Sequence, residues 1–172
     1  YQEITAGLEA EVAFNTFYNN AASAGDGGGV YANTTGSLLL FNNLFLDNSG
    51  GGNPDCYSSD PNISQGFNYF PPGGTNVNIH GDDVSSNLSN VQSNMRTAAI
   101  TDGYGQKYFT NVSSHITDVG TNYYGLSSDA VDQRGGYREM HFRSGGGPIA
   151  DIGAIECTYF TVTNNDGGMT SG

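Results

Sequence analysis

The chain has 172 residues, only 13% of them charged, with a formal net charge of -12 and five Lys plus Arg in all. Phosphate recognition runs on clustered basic side chains, so this balance excludes a nucleic-acid partner and disfavours an anionic membrane surface. The 36% hydrophobic content includes 11 Tyr and 9 Phe, which is the composition of a single folded domain with a thin core rather than of a disordered chain.

Residues Tyr1 to Glu11 show neither the basic nor the apolar stretch of a signal peptide, and there is no initiator Met, as expected of a processed chain or a piece of a longer one. Short runs of β-branched and aromatic residues follow: Val12-Ala13-Phe14, Gly29-Val30-Tyr31 and Ser37 to Phe41, each bounded by Gly, Asn and Asp clusters. The longest apolar run, Leu38 to Phe41, is far too short to span a bilayer, so membrane insertion is not expected. Phe160-Thr161-Val162-Thr163 is a further predicted strand near the end of the chain. Helix formers in amphipathic spacing are almost missing, and the expected class is all-β.

Aligned with itself, the chain matches Phe14-Asn15-Thr16-Phe17-Tyr18 to Phe41-Asn42-Asn43-Leu44-Phe45 at an offset of 27 residues, each copy followed by a Gly-rich stretch. Offsets of this size mark stacked repeats. A unit with several very short strands and no helix predicts a right-handed parallel β-helix, a short solenoid in which Asn15 stacks on Asn42 and Phe14 on Phe41. A β-sandwich with two similar Asn-rich hairpins is the alternative. The expected organisation is one module, with regular coils over 1–76, an irregular C-terminal closing region over 77–157 and a tail strand over 158–172.

The Gly-Gly-Gly-Val-Tyr and Ser-Leu-Leu-Leu-Phe-Asn-Asn phrases resemble the coils of secreted bacterial β-helices, and Asn53-Pro-Asp-Cys-Tyr with Gln65-Gly66-Phe67-Asn68-Tyr69 resembles the stretch that follows them. Asp118-Val119-Gly120, Asp132-Gln133-Arg134-Gly135 with Arg138, and Asp151-Ile152-Gly153-Ala154-Ile155-Glu156 then resemble, in that order, the closing elements of the choice-of-anchor Q domain. The chain departs from that pattern at His115 and Thr117. The resemblance implies a β-helix module of surface or secreted proteins, a group that often carries no assigned activity. It places Cys56 and Cys157 in the closing region, where a single disulfide is expected in an oxidising compartment; two free thiols are the alternative.

The charged residues of the closing elements suit a structural ion-pair cluster better than a catalytic site. The forks of Arg134 and Arg138 can bind the carboxylates of Asp132, Asp151 and Glu156 and pin the C-terminal segment. No Lys, Arg or His occurs between Val12 and Phe70, which argues against a polysaccharide lyase on the coils. Asp55 with Asp60, or Asp82 with Asp83, are carboxylate pairs a hydrolase reading could take up, and Asp82 and Asp83 read as turn residues after Gly81. His80, His115 and His141 have no metal-ligand spacing, and Gly25 to Gly29 lacks the context of a calcium or phosphate loop. No cofactor is expected beyond Ca²⁺ on so acidic a surface, and metal sites are expected to be none. Low Lys content and the sequons at Asn33, Asn62, Asn87 and Asn111 fit an extracellular or cell-surface glycoprotein.

The expected function is therefore a non-catalytic structural or adhesive element whose partner is another copy of itself. Tyr159, Phe160, Thr161, Val162 and Thr163 would form the strand that joins one copy to the next, head to tail. A polysaccharide-active enzyme or carbohydrate-binding module is the alternative.

Overall fold

Where the extended backbone breaks, it does so in one repeated way. Five non-glycine residues take a left-handed conformation, Phe14 (φ 55°), Asn19 (53°), Asn42 (53°), Asp47 (53°) and Phe67 (58°). The residue after each is an asparagine: Asn15, Asn20, Asn43, Asn48 and Asn68. This conformation costs a side-chain-bearing residue about 1–2 kcal/mol, so something local has to hold it. The following asparagine does so by tying the turn to the neighbouring stretch of chain.

The computed structural model describes residues 9–33, 37–85, 100–101, 107–108, 119–121, 131–132 and 150–154. Within these, regular structure is strand only: β1 (Glu9–Ala13), β2 (Thr16–Tyr18), β3 (Val30–Ala32), β4 (Ser37–Phe41), β5 (Leu44–Leu46), β6 (Cys56–Ser58), β7 (Ile100–Thr101) and β8 (Lys107–Tyr108). The last two form an antiparallel pair. The rest pair in parallel: β1 with β4, β2 with β5 and β3 with β6. The all-β expectation holds in this coarse form, as short parallel strand pairs.

Successive stretches of chain thus lie one over another as rows. Glu9 pairs with Ser37 and Thr16 with Leu44, an offset of 28 residues, and Ala21 bridges Ser49 at the same offset. Single parallel bridges continue the pairing from Leu40 to Ser64, Leu44 to Tyr69 and Cys56 to Thr75, then from Tyr69 to Val84. The stacked pairing therefore runs past residue 76, where the regular region was expected to stop.

The expected 27-residue offset is one residue short. Both frames bring an Asn opposite Asn15, because Asn42 and Asn43 are adjacent, and the Phe14-to-Phe41 match favours the wrong one. Burial decides between them, since a one-residue slip would turn every inward side chain of β1 outward. In the observed register Ala10 and Val12 sit on Leu38 and Leu40, while Glu9 and Glu11 stay exposed. Phe14 and Phe41 still touch, edge to face with ring centroids 5.9 Å apart.

The main core holds Leu38, Leu40, Phe45, Cys56, Ile63, Phe70 and Val77, with Ala10, Val12, Phe17 and Val30 of the first row half-buried against it. Phe17, Phe45 and Phe70 form a stack through the rows, with centroid spacings of 4.8 and 5.0 Å, close to the distance between paired strands. The Gly25 to Gly29 stretch has a structural use: a Cβ on Gly28 would collide with the carbonyl oxygen of Ser49 in the row beneath. A second cluster, Leu44, Leu46, Tyr69 and Ile152, joins the rows to the C-terminal closing elements.

Candidate assembly edge

Asn15, Asn43 and Asn68 share one column, and Asp83 ends it. Asn15 donates its backbone N–H to Asn43 Oδ1 at 3.0 Å. Asn43 donates in the same way to Asn68 Oδ1 at 3.0 Å, and Asn68 to Asp83 Oδ1 at 2.9 Å. The amide nitrogens tie each rung back to the row above. Asn43 Nδ2 reaches Val12 O at 2.7 Å and Asn68 Nδ2 reaches Leu40 O at 3.0 Å, in each case three residues before the preceding rung. A second column repeats the geometry: Asn20 donates to Asn48 Oδ1 at 3.0 Å, and Asn48 Nδ2 donates to Phe17 O at 2.9 Å. Asn43, Asn48 and Asn68 each thus take a backbone or side-chain donor and an acceptor carbonyl from the row above.

The two ends of the first column differ chemically. At Asp83 the carboxylate can only accept, and it is satisfied by Asn68, by Ser64 Oγ at 2.7 Å and by His80 N–H at 2.8 Å. That end is closed. At the other end no described residue lies above Asn15, and its Nδ2 turns to Ala13 O of its own row at 2.7 Å. Among the described residues the side-chain oxygens of Asn15 and Asn20 accept nothing, and β1 pairs on one side only, with β4.

Burial follows the same polarity. Leu38, Leu40 and Phe45 of the second row are buried, whereas Ala10, Val12 and Phe17 above them are half-buried. Tyr31, stacked on Tyr57 at 5.2 Å, is 54% exposed at the same end. Among the described residues the first row thus has an unpaired strand edge and two amide rungs with no acceptor role.

Asn42, expected to stack on Asn15, has another use. Its Nδ2 donates to Thr121 O at 2.6 Å and its Oδ1 accepts from Thr121 N–H at 2.9 Å, while its carbonyl accepts from Gly153 N–H at 2.8 Å. Ala154 N–H donates to Thr16 Oγ1 at 3.0 Å. A Cβ on Gly120 would meet Asn42 Oδ1 at 2.7 Å and Ala150 O at 2.6 Å, which accounts for glycine in the Asp118-Val119-Gly120 element. The closing elements dock on the turn that Asn42 makes.

Of the expected ion-pair cluster, Asp132 and Asp151 are buried; Arg134, Arg138 and Glu156 lie outside the described residues. Cys56 is a buried free thiol, and Cys157, its expected partner, lies outside the described residues. Cys56 points into the core between Val30 and Thr75. Desolvation pushes its thiol up to about 12, against the lowering effect of a hydrogen bond with Thr75. Its neighbour Asp55 is buried too, and burial raises its carboxyl above the ordinary value while a 2.9 Å hydrogen bond from Asn48 opposes the rise.

Among the sequons, Asn33 and Asn62 are both exposed, and Asn62 Oδ1 accepts from Asn78 Nδ2 at 2.8 Å while its Nδ2 donates to Asp60 Oδ1 at 3.3 Å. Asn87 and Asn111, and the strand Tyr159 to Thr163, lie outside the described residues. Among the described residues no group of three or more His, Cys, Asp or Glu side chains is placed to hold a metal ion. Sequence reasoning passed over Asn43, Asn68, Asn20, Asn48 and Asp83; the signal was there in Phe67-Asn68-Tyr69-Phe70, a third copy of Asn-x-aromatic after a left-handed residue. Comparison of the chain with family models, with curated proteins and with solved structures gave no match.

Proposed function

We propose that the chain is a module of a right-handed parallel β-helix, of the choice-of-anchor Q kind, that works outside the cell as a non-catalytic structural or adhesive element. Copies add head to tail into a linear array. One observation supports this reading: among the described residues the amide column ends on Asp83 at one end and is open at Asn15 and β1 at the other. An open parallel edge with half-buried apolar side chains recruits a further strand unless something covers it. With a net charge of -12 per copy, association is opposed by repulsion and should strengthen as salt screens it.

Light scattering and electron microscopy of the full chain and of a chain ending at residue 157 test the proposal. The full chain should form linear particles, more of them at higher salt, and the shortened chain should remain monomeric. A full chain that stays monomeric at all concentrations, or filaments that survive the truncation, would overturn it. Release of reducing sugar or unsaturated uronate from a polysaccharide panel would instead point to the enzymatic alternative.

A further inference from the structure

On the outward face of the third strand pair two tyrosines stand in register. Tyr31 of β3 pairs with Tyr57 of β6 at an offset of 26 residues, each between inward neighbours: Val30 and Ala32 on one strand, Cys56 and Ser58 on the other. Their rings stack at a centroid distance of 5.2 Å with the planes 14° apart. In the core a similar spacing belongs to the rings of Phe17, Phe45 and Phe70, which carry no reactive group. Here it brings two phenols together at the surface, Tyr31 more than half exposed and Tyr57 half-buried.

We infer that Tyr31 and Tyr57 form a site of oxidative cross-linking, joined through their ortho carbons into a dityrosine that staples the first row to the second. The oxidant is hydrogen peroxide acting through a haem peroxidase. Each phenol gives up one electron and one proton and becomes a phenoxyl radical. The two radicals combine in a carbon–carbon bond between ortho positions, and the hydrogens displaced there return to the two oxygens as the rings regain aromaticity. Two hydrogen atoms leave the pair in all, and they reduce one peroxide to two waters.

The surroundings favour this pair over the other described tyrosines. Tyr69 is fully buried, out of an oxidant's reach, and the exposed Tyr18 stands over Leu46 rather than over a tyrosine. The chain has no Trp, the side chain that competes best for one-electron oxidation. Cys56 could repair a tyrosyl radical by giving up its thiol hydrogen, but its side chain lies in the core, on the opposite face of β6 from Tyr57. The parallel register supplies in advance the proximity that coupling of two short-lived radicals needs. Tyr31 has the free surface to tilt its ring edge toward its partner. A link across this offset closes a loop of chain, so it restricts the unfolded state as a disulfide does.

The test uses the full chain, dilute and folded, treated with hydrogen peroxide and a haem peroxidase. The protein should gain the blue fluorescence of dityrosine while still migrating as a single chain, and peptide mass mapping should find positions 31 and 57 joined with the loss of two hydrogens. Tyr31→Phe and Tyr57→Phe keep a stacked ring and lose the phenol, so each should abolish that link at nearly unchanged melting temperature of the untreated protein. The linked protein should unfold at a urea concentration higher by about 1 M, a shift absent from Tyr31→Phe treated in the same way. A 31–57 link that leaves the urea midpoint unchanged would overturn its role as a staple. Dityrosine that joins different chains or other tyrosines, with no link between 31 and 57, would overturn the site itself and leave the proposed assembly untouched.

Discussion

Asn43 is the rung with the most to lose. Its side chain is fully buried. It accepts the N–H of Asn15 at 3.0 Å and donates to Val12 O at 2.7 Å and to Asn68 Oδ1 at 3.0 Å. Asn43→Ala removes all three and leaves Val12 O and Asn68 Oδ1 short of a partner. At about 1 kcal/mol for each bond, the loss is about 3 kcal/mol. Asn15→Ala touches an exposed rung whose amide reaches only Ala13 O and Asn43 Oδ1, and it should cost less than about 1 kcal/mol. Urea unfolding of the dilute protein, followed by tyrosine fluorescence and circular dichroism, reads both. With a slope of about 2 kcal/mol per molar, Asn43→Ala should lower the midpoint by about 1.5 M, several times the effect of Asn15→Ala. Equal shifts for the two variants, or a loss below about 1 kcal/mol at Asn43, would refute the argument that buried amides hold the left-handed turns.

The other expectations concern buried groups. Asp55→Asn should stabilise the protein progressively as pH rises. The wild-type carboxyl binds its proton more tightly when folded, so its contribution is full below the ordinary value of 3.8 and is lost as pH climbs through the raised one. Paired thermal melts across that range measure it, and a difference between the two proteins that does not change with pH would contradict it. Cys56, with its thiol pushed up to about 12, should resist alkylation in the native protein and react once urea unfolds it. Rapid native labelling at Cys56, found by peptide mass mapping, would contradict its burial. Phe45→Ala, at the centre of the aromatic stack, should cost about 3–5 kcal/mol in the same urea assay. Phe17→Ala, at the half-buried end, should cost less than half of that; equal losses would mean that the first row is covered.

The sequence makes the strand class legible because Ser37 to Phe41 and Val30-Tyr31 are β-formers bounded by turn residues, and both lie in strands. It also makes a repeat legible. Its register was not, because the Asn42-Asn43 doublet satisfies two frames and only burial separates them. Asn68 and Asp83 were missed because the offset shrinks from 28 to 25 and then 15 residues between rungs, so no fixed period finds them. Asp83 reads from sequence as an ordinary turn residue, and only the column ending on it gives the carboxylate its use. Residue spacing says nothing of which way a side chain points, so the burial of Cys56 on the inward face of β6 was not legible.

Among the described residues the outward edge of β1 is unpaired, and the proposed head-to-tail assembly would cover it with another copy. Amide hydrogen exchange, read peptide by peptide over a range of protein concentrations, tests it most directly. The amides of Ser37 to Phe41, paired with β1 above and with the third row at Leu40, should be protected at every concentration. Those of Glu9 to Ala13 that point away from β4 should exchange freely in dilute protein and become protected as the protein assembles. Protection of those amides that does not change with concentration, or their free exchange even in filaments, would contradict the account.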